Sequence, residues 1–254
     1  MKLWRNLKDI ILAFYLPKGY YYLISFPKTG RTWLMYMLES IMNRLDEELI
    51  LNIESSHDSS EIVIEDGSKT DPNLIFHYTL RLRYLRSNIL FMVRDPRDVI
   101  VSHFYQVTKR TNSPLKFENI SEFLRDEKLG FKRIIHFYNL WYKNKKFAKK
   151  FLLIRYEDLL NDGITELDKI TTFLNIDIPI SNLKKIYNNS SADKMRKLEI
   201  GRNLKGFKYF GDTINHLKVR RAKIGSYKDE LSDEDILYCN IEMKNLNTYF
   251  NYTI

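Results

Sequence analysis

Four short β-like runs, YYLISF (21–26), LILNIESS (49–56), NILFMV (88–93) and FLLIRY (151–156), alternate with longer stretches whose apolar residues return every third or fourth position. Three of the four runs are nearly continuous in apolar residues, the pattern of strands covered on both faces in a parallel sheet. The helical stretches are WLMYMLESIMNRL (33–45), DVIVSHFYQVTKR (98–110) and 121–150. This alternation predicts an α/β doubly wound fold with a central, mostly parallel sheet, in which ligands bind beyond the carboxyl ends of the strands. The C-terminal half reads as mainly helical: 163–176, 181–198, and a final helix that Ser232 and Asp235 open as a capping box. There are no internal repeats or low-complexity tracts, and no composition shift marks a boundary, so residues 1–254 read as a single domain.

At 254 residues the chain can bury a full core without disulfides. Its 44% hydrophobic and 29% charged content excludes global disorder. Cys239 stands alone, which rules out an internal disulfide, fits a reducing compartment, and reads as a small buried hydrophobe in a helix. The N-terminal MKLWRNLKDIILAFYL holds only a seven-residue apolar run, 10–16, too short for a membrane span and without a small-residue cleavage site. A cytoplasmic protein without stable membrane insertion is expected. The formal charge of +9 favours anionic partners without naming one. The densest basic run, KNKKFAKK (143–150), reads as the solvated end of a helix, because aromatic and basic residues do not interleave there as a nucleic-acid groove requires.

The chemistry starts where the first run stops. In YYLISFPKTGRTWL (21–34), a buried strand gives way to Pro-Lys-Thr-Gly-Arg-Thr and then at once to a helix. Strand, glycine-containing turn and helix start form an anion cradle, because unpaired backbone N–H groups and the helix dipole face the turn. The lysine precedes Gly30, so this is not a Walker loop of the Gly-Lys-Ser/Thr type. Lys28 leads the turn from the strand side. Thr29, Gly30, Arg31 and Thr32 offer amides, two hydroxyls and a guanidinium, and Trp33 reads either as a core anchor or as a ring for a base to stack on. In FMVRDPRDVIVSHFYQ (91–106), Arg94 ends a strand and Ser102 lies two turns into the next helix, so both can converge on a second phosphate. Asp95, Arg97 and Asp98 read as helix-start charges and an ion pair.

FPKTGRTW resembles the 5′-phosphosulfate loop of the soluble sulfotransferases, Y-P-K-S-G-T-T-W, with Phe26, Thr29 and Arg31 replacing Tyr, Ser and the first Thr. VRDPRDVIVS resembles the family's 3′-phosphate segment, with Arg94 and Ser102 at its two binding positions. KVRRAKIGSYKDELS (218–232) resembles R-K-G-x-x-G-[DN]-[WY]-K: Arg220 and Arg221 stand for the Arg-Lys pair, Ala222 for the first glycine and Gly225 for the second. Tyr156 in RYED matches a tyrosine beside adenine, and Ser190 precedes a helix as the family's adenine-contacting residue does. The pattern is most similar to compact bacterial-type members. It implies a P-loop-like three-layer α/β/α fold and the donor 3′-phosphoadenosine 5′-phosphosulfate (PAPS), with adenosine 3′,5′-bisphosphate (PAP) as product and no metal. It also implies that Lys28 contacts the bridging oxygen of the leaving group, that Thr32 and the turn hold the 5′-phosphate, and that Trp33 stacks on adenine.

Sulfuryl transfer to a hydroxyl needs a base facing Lys28. His57 ends LILNIESSH and His77 ends NLIFH; the family places its histidine after the second strand, which favours His57. His103, His136 and His216 receive no role. No motif names the acceptor, whether small molecule, glycan, lipid or peptide. Its walls are expected from 55–86, 108–120 and a glycine- and aromatic-containing cover at 200–217. No dimer motif is present, so oligomeric state is open. Three other readings stand beside this one: a P-loop kinase, distinguished by magnesium-dependent nucleotide binding; a basic nucleic-acid binder without catalysis, distinguished by steep salt dependence; and a sulfotransferase that binds donor without turning it over.

Overall fold

The computed structural model describes residues 20–44, 52–56, 87–202, 210–211 and 213–253. The N-terminal segment, His57, His77, most of the expected acceptor wall at 55–86 and the centre of the expected cover at 203–209 lie outside the described residues.

β1 (Tyr20–Ser25), β2 (Asn52–Ser56), β3 (Asn88–Val93) and β4 (Lys150–Arg155) form one parallel sheet in the order β2-β1-β3-β4. Ile24 is in register with Ser56 on one side and Phe91 on the other, and Val93 with Arg155, so all four strands end along one edge. Between and after the strands lie α1 (Arg31–Met42), α2 (Pro96–Lys109), α3 (Ile120–Arg125), α4 (Phe131–Asn144), α5 (Tyr156–Asn161), α6 (Gly163–Leu174), α7 (Ile180–Asn188), α8 (Ala192–Ile200) and α9 (Asp233–Met243).

Strand alternation divides the core between the two faces of the sheet. Tyr22, Ile24, Phe91 and Val93 point to one side, where Phe137, Tyr138 and Trp141 of α4 and Met243 of α9 cover them. Tyr21, Leu23, Leu90 and Met92 point to the other, against Leu34 and Leu38 of α1, Ile170 of α6 and Leu183 of α7. The result is the expected three-layer sandwich with parallel strands. Phe91 anchors the first side, its ring 5.5 Å from Trp141 in a stacked geometry and 5.7 Å from Phe137.

The stretch 121–150 is not one helix. Asp126 caps the end of α3 with extended backbone, and its carboxylate accepts from the amides of Lys128 and Leu129, a local turn that competes with helix continuation. Gly130 then opens α4 with no side-chain cap; a Cβ there would lie 2.3 Å from the Asp126 carbonyl, so the turn closes only around glycine. The lysine run follows the end of α4 as a solvated turn, with the Lys145 ammonium 3.7 Å over the Tyr249 ring. At α9, the Ser232 hydroxyl accepts from the Asp235 amide as expected, but the Asp235 carboxylate turns away to Ser121 and Arg125. Cys239 is fully buried and its thiol is pushed up to about 12 by that burial.

Candidate active site

A cavity of about 380 Å³ opens at the carboxyl edge of the sheet, between the β1–α1 loop, the start of α2, the β4–α5 junction and residues 218–222. Twelve of the thirteen residues expected to bind donor line it: Lys28, Gly30, Arg31, Thr32, Trp33, Arg94, Ser102, Tyr156, Ser190, Arg220, Arg221 and Ala222. Thr29 is the exception: it is fully buried and its hydroxyl donates to the Phe26 carbonyl at 3.0 Å, so its side chain closes the turn instead of facing the cavity.

The loop takes its shape from two left-handed residues. Lys28 has φ +74° and Gly30, which precedes α1, has φ +102°. A non-glycine residue held there stores on the order of 1 kcal/mol, a cost that local structure sustains at functional turns. Gly30 has a second reason to be glycine, since a Cβ would meet Tyr156 at 2.7 Å and Met92 at 2.9 Å. No side-chain oxygen caps α1 among the described residues, and the first backbone bonds back to the turn run from the Trp33 and Leu34 amides to the Gly30 carbonyl. The Lys28 ammonium reaches Gln106 Oε1 at 3.5 Å, and its pKa is held well below the ordinary 10.5, first by burial and then by Arg110 and Lys218.

Trp33 is both a core side chain and part of the cavity wall. Its indole packs on the second core and also lines the cavity, 5.8 Å edge-on from Tyr156, while Nε1 donates to the Ser190 carbonyl at 2.7 Å. Arg94 lies over Tyr156, its Cζ 4.4 Å from the ring centre, pairs with Asp98 at 3.4 Å and donates to the Lys223 carbonyl at 3.2 Å. Tyr138 fixes its backbone from below, donating to the Arg94 carbonyl at 2.8 Å. Arg220 lies 4.2 Å over Tyr105 and pairs with Glu230 at 2.6 Å. Both guanidinium groups keep a buried Nε with no hydrogen-bond partner among the described residues, while Arg221 is more exposed and pairs with Asp229 and Glu230.

The helix-start charges do more than cap. Asp95 accepts from the Arg97 amide and pairs with its guanidinium, as expected. Asp98 instead accepts from the amides of Gly225 and Tyr227 and the Ser226 hydroxyl, at 2.9, 3.0 and 3.1 Å, tying the C-terminal segment to the start of α2. From α8, Arg196 donates to the carbonyls of Val219 and Arg220 at 3.0 Å each, holding the same segment from its other side. In the RYED run, Glu157 is structural: it accepts from the Asp95 amide and the Tyr252 hydroxyl, both at 2.8 Å.

Ala222 occupies a left-handed turn with φ +52°. An L side chain is strained there, and glycine is not. Ala222→Gly is therefore expected to raise the unfolding free energy by about 1 kcal/mol, seen as a higher urea midpoint at unchanged slope.

Four residues near Lys28 belong to none of the motifs: His103, Gln106, Arg110 and Glu199. His103 lines the cavity, gripped edge-on by Phe26 and Phe123 at 5.5 Å each, and burial, then Lys28, lowers it to about 4, so it stays neutral. The sequence signal for two of them is the four-residue spacing Ser102, Gln106, Arg110 along one face of α2.

The geometry joins an anion turn, a second arginine pair and an aromatic wall in one cleft, and comparison with known proteins agrees. Residues 21–241 match the sulfotransferase domain family. The chain is 25% identical over 244 residues to flavonol 3-sulfotransferase of Flaveria bidentis, covering 85% of this chain and 77% of that protein. It is 25% identical over 188 residues to human sulfotransferase 2A1, covering 69% and 66%. The fold is similar to that of mouse sulfotransferase SULT7A1 complexed with PAP, with a TM-score of 0.62 and 20% identity over 95% of this chain and 91% of that one. The domain match runs over most of the sequence and contains every element that lines the cleft; the chain belongs to the sulfotransferase family.

Proposed function

We propose that this chain moves the sulfuryl group of PAPS onto a hydroxyl or amine of a small-molecule, glycan or lipid acceptor, with PAP as the other product. The observation that carries this reading is one cavity lined by cationic groups at two places, Lys28 with the β1–α1 turn and Arg94 with Arg220 and Arg221. Guanidinium groups at such a wall suit a phosphate, which accepts charge-assisted hydrogen bonds. The 3′-phosphate is assigned to Arg94, Ser102, Arg220 and Arg221, with the backbone at Ala222 beside it. The 5′-phosphosulfate is assigned to Lys28, Thr32, Arg31 and the amides from Thr29 to Thr32, and adenine to the part of the cavity lined by Trp33, Tyr156 and Ser190.

In this reading the acceptor oxygen forms a bond to sulfur as the bond from sulfur to the 5′-phosphate oxygen breaks in line. The electron pair goes to that phosphate oxygen, where the Lys28 ammonium stabilises it, and the acceptor proton goes to a histidine. His57 is favoured over His77 as the base, because β2 ends at Ser56, in register with Ile24, at the edge where the cavity opens. A thermal-shift titration with PAP tests the reading. At a hundred times Kd the stabilisation is about 2.7 kcal/mol, a rise in Tm of roughly 5–10 °C for a chain of this size. An unmoved Tm at millimolar PAP removes the proposal.

A further inference from the structure

Ser102 and Gln106 lie one turn apart on α2, and Arg110 follows four residues on as the C-terminal cap of that helix. Gln106 stands between them with both ends of its amide committed. Its Nε2 donates to the Arg110 carbonyl at 2.9 Å, and its Oε1 accepts from Arg110 Nη1 at 2.7 Å and from the Lys28 ammonium at 3.5 Å. The amide is locked by Arg110 and presents one oxygen to the lysine. Arg110 is itself buried and held on its other side by Glu199 of α8, at 3.3 Å, and by the His216 carbonyl at 2.9 Å. Glu199 in turn accepts from the amides of Lys218 and Val219, at 2.7 and 3.2 Å, immediately before Arg220. Hydrogen bonds thus run unbroken from Lys28 to the segment that carries Arg220.

We propose that Gln106 is the positioning residue for Lys28 and that the buried Arg110–Glu199 pair is its anchor, so one network sets both the lysine and the 218–220 backbone. The proposal rests on the sulfotransferase reading. Its logic is electrostatic. The charged and titratable groups around the Lys28 ammonium are Arg94 from the β3–α2 loop, His103 from α2, Arg110 at the C-terminal cap of α2, Lys218 from the C-terminal segment and Glu199 from α8. Most are cations that push the ammonium away, and a fixed neutral oxygen gives it a preferred position among them.

The test uses two variants of the full chain. Gln106→Leu removes the oxygen; Gln106→Glu keeps it and adds charge. Transfer from PAPS to water is followed as labelled sulfate, PAP affinity by calorimetry, and the Lys28 pKa by NMR of carbon-13-labelled lysine, its signal assigned with Lys28→Arg. The expected result for Gln106→Leu is at least a tenfold loss of rate with PAP Kd within threefold of wild type. Gln106→Glu is expected to recover at least a third of the rate and to move the Lys28 titration and the alkaline limb of the rate to higher pH. The proposal is overturned if Gln106→Leu keeps full rate or speeds transfer, if PAP affinity falls in step with rate, or if the Lys28 pKa is the same in both variants. Should wild type neither bind PAP nor release sulfate, the function reading fails, while the NMR comparison still decides whether Gln106 sets the lysine.

Discussion

Lys28→Met is expected to lower sulfuryl-transfer turnover by about 10²–10³-fold, the typical cost of deleting one preorganised donor to a developing charge, while PAP affinity changes far less. The asymmetry follows from position. On the proposed assignment the amides of the β1–α1 turn remain to hold the 5′-phosphate, so the ground state is expected to keep most of its contacts and the loss to fall on kcat. The pH profile carries a second signature. The Lys28 ammonium is held below the ordinary lysine pKa by burial and by Arg110 and Lys218, so the protonated form that the proposed role requires is lost earlier than for free lysine. Activity should therefore fall as pH rises, through a limb lying below 10.5, and Lys28→Arg should lack that limb. Steady-state rates between pH 6 and 10 decide the matter. A Lys28→Met protein with wild-type kcat removes the lysine from the chemistry.

Arg94→Met should act on the other quantity, weakening PAP binding by about 2–4 kcal/mol, or roughly 30- to 1,000-fold, with a smaller effect on turnover at saturating donor. Arg94 is almost fully buried, so its contacts with a ligand are made away from water. Part of the loss has another origin. Removing the guanidinium leaves Asp98 without its ion-pair partner, although its carboxylate still accepts from Gly225, Ser226 and Tyr227. The double variant Arg94→Met, Asp98→Asn separates the two: if affinity is unchanged from the single variant, the loss belongs to the phosphate contact. Calorimetric titration with PAP measures both, and an Arg94→Met protein that binds PAP as wild type does would exclude the residue from the donor site.

The strands, the first loop and the second arginine were legible because each rests on local sequence. Strands buried on both faces are short apolar runs whatever surrounds them, and β3 coincides with NILFMV residue for residue. The Gly30 turn announces itself by composition. What escaped is set by distant partners or by backbone conformation. The Arg110–Glu199 pair joins residues 89 apart, and Arg196 binds carbonyls, which leave no mark on the sequence at 219–220. The break after α3 was hidden because apolar spacing continues through it, although Asp126 and Gly130 are themselves turn residues. The left-handed φ of Ala222 runs against what alanine prefers and was visible only as a departure from the family's glycine.

Residues 219–227 are gripped at main-chain atoms by Arg196 and Glu199 from one side and by Asp98 from the other. Such fasteners are indifferent to which side chains the gripped stretch displays. The stretch therefore behaves as an exchangeable cassette. Substitutions at Lys223 and Ile224, whose side chains none of these bonds use, are expected to leave all three clamps in place.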